Sequence, residues 1–374
     1  MKAVVLRKEN GEQAVVVTDV PRPKLTGSRE VLIQVLAVGI DGTDRDIIQD
    51  GYGLLPAGSD QLIIGHEVLG RIVEAGADAG LSAGELVTIL VRRPCGDAEC
   101  MNCREGCQDY CTTGRFTERG IFGADGFMCE FVVEDAEYVV PVPDACAPYG
   151  VLIEPQSIIE KVWNQVSFIQ QRLKWKPKTA LVTGSGPLGI LAAATCRSMG
   201  IETHVWSRSG GFSLKAELVR ECGATYHRVG MTKDSSGAQI SGLALEAAQW
   251  HKSFDIIFEC SGHSPLTFDA MQILNAGGVL ALLSVTPGSG QTTVPSDLIN
   301  MEMMTKNKCV IGSVNASRTD FKAAIVRLRE IEKLFPSLLA RILTQTYTME
   351  QVPNLDFASI SVKAVVDIKG GNLE

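Results

Sequence analysis

The sequence predicts an α/β protein of two domains, one β-rich and one built on a doubly wound parallel sheet. Three observations carry this reading. Over roughly the first 150 residues, short β-prone runs alternate with Gly and Pro. Beyond them, apolar strand-like runs alternate with helix-like stretches, the pattern of a parallel sheet covered on both faces. The length, 374 residues, exceeds what one hydrophobic core organises.

In the first part, MKAVVL, AVVVTDV, EVLIQVLAVGI, IVEAG, ELVTILV and EFVVEDAEYVVPVP read as strands, because β-branched side chains fit a pleated surface. DRDIIQDG reads as one or two helical turns. The character changes near Pro148, where LIEPQSIIEKVWNQVSFIQQRL places apolar residues at helical spacing. TALVTG is then a buried strand and PLGILAAATCRSMG a helix stopped by Gly200. THVWSRS (strand), LKAELVRECGA (helix), FDIIFECSG (strand), PLTFDAMQILNAGG (helix) and VLALLSV (strand) continue the alternation. After CVIGSVNAS come two helices, DFKAAIVRLREIEKLF and PSLLARILTQ, and a last strand, KAVVDI. That strand lacks a local partner, so it is expected to return to the first domain. The expected division is 1–157 with 316–374 for the β-rich domain and 158–315 for the other.

Composition bounds the partners. Hydrophobic residues make up 45%, too many for a disordered chain. A net charge of −8 argues against nucleic acid or an anionic membrane. No apolar run approaches a membrane span, and MKAVVLRKENGEQAVVV lacks a signal-like core, so a cytoplasmic enzyme is expected. Of eleven cysteines, five fall between Cys95 and Cys111 and six are scattered. This distribution suits a metal-binding loop in a reducing compartment better than a disulfide framework.

Gly184-Ser185-Gly186-Pro187-Leu188-Gly189 follows the strand TALVT and opens a helix, the context a dinucleotide site demands. The first glycine makes the turn, the second admits the pyrophosphate, and the third lets helix and strand approach. At the end of the next strand, Ser207-Arg208-Ser209 offers a cation and two hydroxyls and no carboxylate. NADP is therefore expected over NAD, whose ribose is usually held by an acidic residue. A solvated Arg208, with NAD also accepted, is the alternative. Leu283, Ser284 and Val285, with Ser313 and Asn315, complete the expected cofactor contacts.

His66 stands in Ile64-Gly65-His66-Glu67, with Asp41-Gly42-Thr43-Asp44 upstream and Glu154-Pro155-Gln156-Ser157 downstream. Together with Arg92-Arg93, Glu118-Arg119-Gly120-Ile121, Asp125-Gly126-Phe127-Met128 and the continuation of Glu154 to Glu160-Lys161, these motifs resemble the zinc-dependent medium-chain dehydrogenases. Within them, four features, Arg92-Arg93, Glu118–Ile121, Asp125–Met128 and the stretch from Glu154 to Lys161, resemble the archaeal-type glucose 1-dehydrogenases. The resemblance runs through nearly the whole chain and implies a GroES-like catalytic domain plus a Rossmann domain. It further implies a catalytic zinc held by Asp41, His66 and Glu154 or a nearby water, with Glu67 in or beside the coordination shell. Thr43, Glu118, Glu154 and Asn315 are implied as sugar contacts. Position 41 is usually cysteine in the wider superfamily. Asp41 is a harder ligand, so a more exchangeable metal is expected.

The segment Cys95 to Cys111 carries thiols at spacings that close a tetrahedral, structural zinc site. The resembled pattern is C-x2-C-x2-C-x7-C. Cys100, Cys103 and Cys111 fit its last three positions, while the first falls on Asp97. The expected set is Cys95, Cys100, Cys103 and Cys111, with Cys107 or Asp97 as possible replacements.

The function implied is NADP-linked oxidation of an aldose such as D-glucose at C1, with zinc as Lewis acid. A polyol, alcohol or threonine dehydrogenase is the alternative in the same chemistry, and a non-catalytic NADPH-binding protein the alternative in another class. A homodimer or homotetramer is implied, with CVIGSV as one edge for pairing subunits.

Overall fold

The computed structural model describes residues 1–9, 12–229, 231–233, 239–243, 246–247, 250, 252–286 and 289–370. They form two compact units: 1–157 with 315–329 and 339–374, and 158–314 with 330–338. This differs from the expected division in two places. Asn315 belongs to the first unit, where its side-chain amide donates to Glu118 at 2.9 Å. Residues 330–338, the end of the helix Arg318–Leu334 and the turn after it, belong to the second.

In the first unit a mixed sheet runs Val139–Pro141, Leu86–Ile89, Glu67–Ala75, Glu30–Ile40, Lys363–Asp367, Leu343–Tyr347, and Phe131–Asp135 also pairs with Glu30–Ile40. Glu30–Ile40 is the axis of this sheet, and its last four residues are all buried. Such a strand reads as a continuous apolar run, as VLIQVLAVGI does. A smaller sheet, Glu12–Asp19, Lys2–Glu9, Gln61–Ile63, completes the unit. Its core joins Val4, Leu6, Ile33, Val38, Ile64, Val68, Ile72 and Phe127, all nearly inaccessible.

The closing strand Lys363–Asp367 does return here, antiparallel to Glu30–Ile40. Its other neighbour, Leu343–Tyr347, is parallel to it and corrects the expectation of a helix through ILTQ: the helix is only Leu338–Ile342. Thr344, Thr346 and Tyr347 favour a strand, and the open edge beside Lys363–Asp367 supplies the hydrogen bonds. DRDIIQDG lies in a nine-residue helix, Gly42–Asp50, ended by Gly51 in the left-handed conformation.

In the second unit six strands, all parallel, run Thr225–Arg228, Glu202–Ser207, Thr179–Thr183, Phe254–Glu259, Leu274–Leu282, Cys309–Gly312. In chain order this is 3-2-1-4-5-6, so the direction of winding reverses beside Thr179–Thr183, where such sheets bind dinucleotides. Asn275-Ala276-Gly277-Gly278, expected to end a helix, lies inside the strand Leu274–Leu282, and the helix stops at Gln272. Gly277 has a positive φ of 68° and sits where the pairing register shifts, an irregularity that periodicity does not reveal. Among the described residues no helix is long and apolar enough to cross a membrane.

Candidate active site and metal-binding loop

Asp41 caps the helix Gly42–Asp50. Its Oδ1 accepts from the backbone N–H groups of Thr43 (2.7 Å) and Asp44 (3.0 Å), and Asp44 returns the bond to the Asp41 N–H at 3.1 Å. That capping box leaves Asp41 Oδ2 aimed elsewhere. It lies 3.6 Å from His66 Nε2 and accepts from the Thr43 hydroxyl at 3.3 Å. The opposite ring nitrogen, Nδ1, faces Asp44 Oδ1 at 4.0 Å, and neither atom has a hydrogen-bond partner. Glu154, in the first turn of the helix Ile153–Ile169, brings its carboxylate within 4.8 Å of ligand atoms of His66 and Glu67. All are buried except Asp41 and Thr43, which are half-buried.

The narrow motifs have a packing reason. A side chain on Gly120 or Gly126 would come within 2.3 Å of the Gly65 carbonyl oxygen. The Glu118–Ile121 and Asp125–Met128 segments therefore close directly on the turn preceding His66. Phe127 N–H and Gly126 N–H donate to the carbonyls of Gly65 and Ile63 there, at 3.0 and 2.6 Å.

Burial raises Asp44, to about 7, and Glu154, to about 8, helped by neighbouring carboxylates. Burial also opposes charge on His66 and on Asp41. The attraction between the two outweighs it, holding the imidazole well above its ordinary range and the Asp41 carboxyl below its own. Four carboxyl groups share the site with His66 and with Lys363, whose ammonium pairs with Glu67 Oε2 at 2.5 Å and donates to the Ile40 carbonyl at 3.1 Å. A bound divalent cation would favour the ionised form of the carboxyls that burial raises.

These residues suit a divalent metal. Two ligands each about 2.1 Å from a tetrahedral zinc lie about 3.4 Å apart, and Asp41 Oδ2 and His66 Nε2 are 3.6 Å apart. In the loop, the sulfurs of Cys95, Cys100, Cys103 and Cys111 lie within 4.8 Å of one another. Cys107 is exposed and outside that group, and Asp97 pairs with Arg115. None of the eleven cysteines forms a disulfide.

In the second unit, a side chain on Gly189 would meet the Gly184 carbonyl oxygen at 2.2 Å, and Gly184 itself has a φ of +95°. Around Gly186 the space is open, as an approaching phosphate requires. Ser185 Oγ lies 2.8 Å from Ser207 Oγ and donates to Ser209 Oγ at 3.5 Å, so the glycine turn and the end of the next strand are joined by hydroxyls. Pro187 opens the helix and Leu188 follows it; Arg208 is exposed. Leu283, Ser284 and Val285 continue from Leu274–Leu282, and Ser313 N–H donates to the Leu282 carbonyl at 3.0 Å. Glu118 and Asn315 meet each other in the first unit.

Asp44, Lys363 and Arg92 carry contacts that the sequence reading assigned to no role. Asp44 has a signal, the Asp41-x-x-Asp44 spacing of a capping box. Lys363 has none, since it is one lysine at the start of a strand.

Two family models divide the chain: the alcohol dehydrogenase GroES-like domain matches residues 27–144, and the glucose dehydrogenase C-terminus matches residues 147–368. The chain belongs to the glucose dehydrogenase family. It is 37% identical over 354 residues to the glucose 1-dehydrogenase of Methanocella arvoryzae, covering 94% of this chain and 95% of the relative. A similar protein from Thermoproteus tenax is 36% identical over 335 residues, 89% of each chain. Among solved structures, the Haloferax mediterranei glucose dehydrogenase in complex with NADP, Zn and gluconolactone superposes with a TM-score of 0.88 at 30% identity, covering 99% of this chain and 100% of that one. Asp41, His66, Glu67 and the four clustered cysteines fall in the GroES-like match. Glu154, the glycine turn, Asn315 and Lys363 fall in the glucose dehydrogenase match.

Proposed function

We propose that this chain oxidises an aldose, D-glucose first among them, at C1 to the lactone, with NADP as hydride acceptor. The observation that carries the reading is that Asp41 and Glu154 each bring a carboxylate oxygen within 4.8 Å of a ligand nitrogen of buried His66, in a chain of the glucose dehydrogenase family. Zinc held by these three residues supplies a Lewis acid that favours the ionised form of the sugar hydroxyl.

The protein groups divide the remaining work. Asp44 faces Nδ1 of His66 from 4.0 Å, on the side of the ring away from Asp41 Oδ2. Lys363 pairs with Glu67 next to the site without itself joining it. Thr43, whose hydroxyl reaches Asp41 Oδ2, is placed to pass on the proton that the sugar hydroxyl loses. Glu118 and Asn315 take the sugar's other hydroxyls, and Gly184–Gly189 with Leu283–Val285, Ser313 and Asn315 bind the dinucleotide. Arg208, Ser207 and Ser209 receive the 2′-phosphate, and no carboxylate among them repels it. Cys95, Cys100, Cys103 and Cys111 hold a second, structural zinc. We further propose a cytoplasmic homodimer or homotetramer. Cys309–Gly312 is a sheet edge, and Val285, Met301, Met304 and Val314 are exposed in the same unit.

NADPH formation by the zinc-loaded protein over a panel of aldoses, polyols and simple alcohols tests the reading. Saturable turnover of D-glucose or a close epimer, absent with ethanol and sorbitol, is expected. Turnover confined to polyols or alcohols would remove the sugar assignment.

A further inference from the structure

The short strand Arg92–Arg93 pairs antiparallel with Thr117–Arg119, with Arg92 directly opposite Glu118. Both residues are buried, at 6% and 8% exposure. The Arg92 guanidinium spends its donors in two directions. Nε and Nη2 donate to Glu118 Oε1 at 3.0 and 2.8 Å, while Nη1 donates to the Asp109 carbonyl at 3.1 Å, inside the cysteine loop. Its face lies 3.7 Å from the Phe116 ring centroid. Asn315 Nδ2 gives Glu118 Oε1 a third donor at 2.9 Å.

One oxygen of Glu118 is thus saturated by protein donors. Among the described residues no donor reaches the other, Oε2. A buried carboxylate fixed this way cannot rotate without breaking three bonds. What it has left to offer is a single, oriented acceptor for a hydroxyl. Phe122, whose N–H donates to the Glu118 carbonyl at 2.9 Å, holds an exposed aromatic, Tyr52, edge-on with ring centroids 5.7 Å apart.

We infer that Arg92 is a positioning residue for the sugar: it fixes the rotamer of Glu118 and thereby ties sugar affinity to the fold of the cysteine loop through the Asp109 carbonyl. The inference rests on the proposed role of Glu118 as a sugar contact. Lysine at position 92 keeps the charge but cannot supply paired donors to one oxygen and a third to a carbonyl.

The test is steady-state kinetics of the zinc-loaded enzyme for Arg92→Lys, Glu118→Gln, the double variant, and Arg93→Lys. Arg93 lies on the same strand but pairs with Glu134, at 2.5 Å, so its variant measures the merely structural effect of disturbing this strand. Arg92→Lys should raise KM for glucose about tenfold or more, with a smaller change in kcat and none in KM for NADP. Arg93→Lys should lower thermal stability with KM for glucose unchanged. The double variant should behave as Glu118→Gln alone, because Arg92 acts through that carboxylate. An unchanged KM in Arg92→Lys beside an impaired Glu118→Gln overturns the inference. So does strict additivity in the double variant. A wild-type KM in Glu118→Gln overturns instead the reading of Glu118 as a sugar contact. If Arg92→Lys does not fold, Arg92→Gln, which retains a donor to Glu118, replaces it with the same expected KM shift.

Discussion

At the scale of single residues, the site is a balance between burial and pairing. Glu67 and Lys363 are each almost wholly inaccessible, and their ion pair offsets part of the cost of burying both. Removing one partner leaves an uncompensated buried charge. Lys363→Met should therefore cost about 3–5 kcal/mol of stability in urea unfolding, and Lys363→Met with Glu67→Gln should recover part of it. A Lys363→Met protein as stable as wild type would show that the pair is not formed in solution. His66→Ala should abolish turnover while leaving NADPH binding, followed by nucleotide fluorescence, intact. His66 and the cofactor turn lie in different units. Arg208→Ala should reduce the preference for NADP over NAD by about tenfold or more, the worth of a charge-assisted phosphate contact. A constant ratio would place the 2′-phosphate on other residues.

At the scale of elements, the cysteine loop has few apolar side chains to hold it, so a metal is the expected source of its order. Cys103→Ser should lower the melting temperature before it lowers turnover per folded molecule, and normal melting would refute a structural zinc there. A second element-level device lies at the edge of the parallel sheet. His204 Nδ1 and His227 Nε2 are 2.8 Å apart, the other His204 nitrogen meets Glu202 at 3.0 Å, and His227 stacks on Trp250. Burial, then the nearby His204, depress His227 to about 4 from an ordinary value of 6.5. A histidine whose folded-state pKa is depressed contributes stability that is present above the unfolded pKa and lost as pH falls through the folded one. Melting temperature should therefore fall between about pH 6.5 and pH 4, and His227→Gln should flatten that decline. An unaltered slope would assign the acid sensitivity to other groups.

At the scale of the whole molecule, the proposed assembly has a direct readout. Light scattering should give two or four times the chain mass of 40.2 kDa. A monomer at micromolar concentration would leave the exposed methionines of the helix Ser296–Thr305 and the edge strand Cys309–Gly312 without that role. The division of labour within the chain also belongs to this scale. The proposed metal ligands at 41, 66 and 154 come from a capped helix, the loop before Glu67–Ala75 and the first turn of Ile153–Ile169, all within the first unit. The glycine turn lies wholly in the second.

Local chemistry was legible without coordinates. The alternation of strands and helices, the glycine turn after Thr179–Thr183, the missing carboxylate at Ser207–Ser209 and the four clustered cysteines are each encoded within a few consecutive residues, where backbone sterics and ligand spacing act directly. Long-range contacts decided the rest. Lys363 meets Glu67 only because the last strand inserts beside Glu30–Ile40, and nothing in its neighbours signals a buried cation. Arg92 was visible as part of a motif, but its grip on both Glu118 and the Asp109 carbonyl depends on a two-residue strand pairing 26 positions apart. The strand Leu343–Tyr347 needs the open sheet edge beside Lys363–Asp367 as well as its own propensity, and the glycines inside Leu274–Leu282 sit at a register shift against Phe254–Glu259. Sequence spacing fixes which groups can meet within one element. Which buried charges neutralise each other is set by the packing of elements distant along the chain, because only there is the cost of desolvation high enough to select the partner.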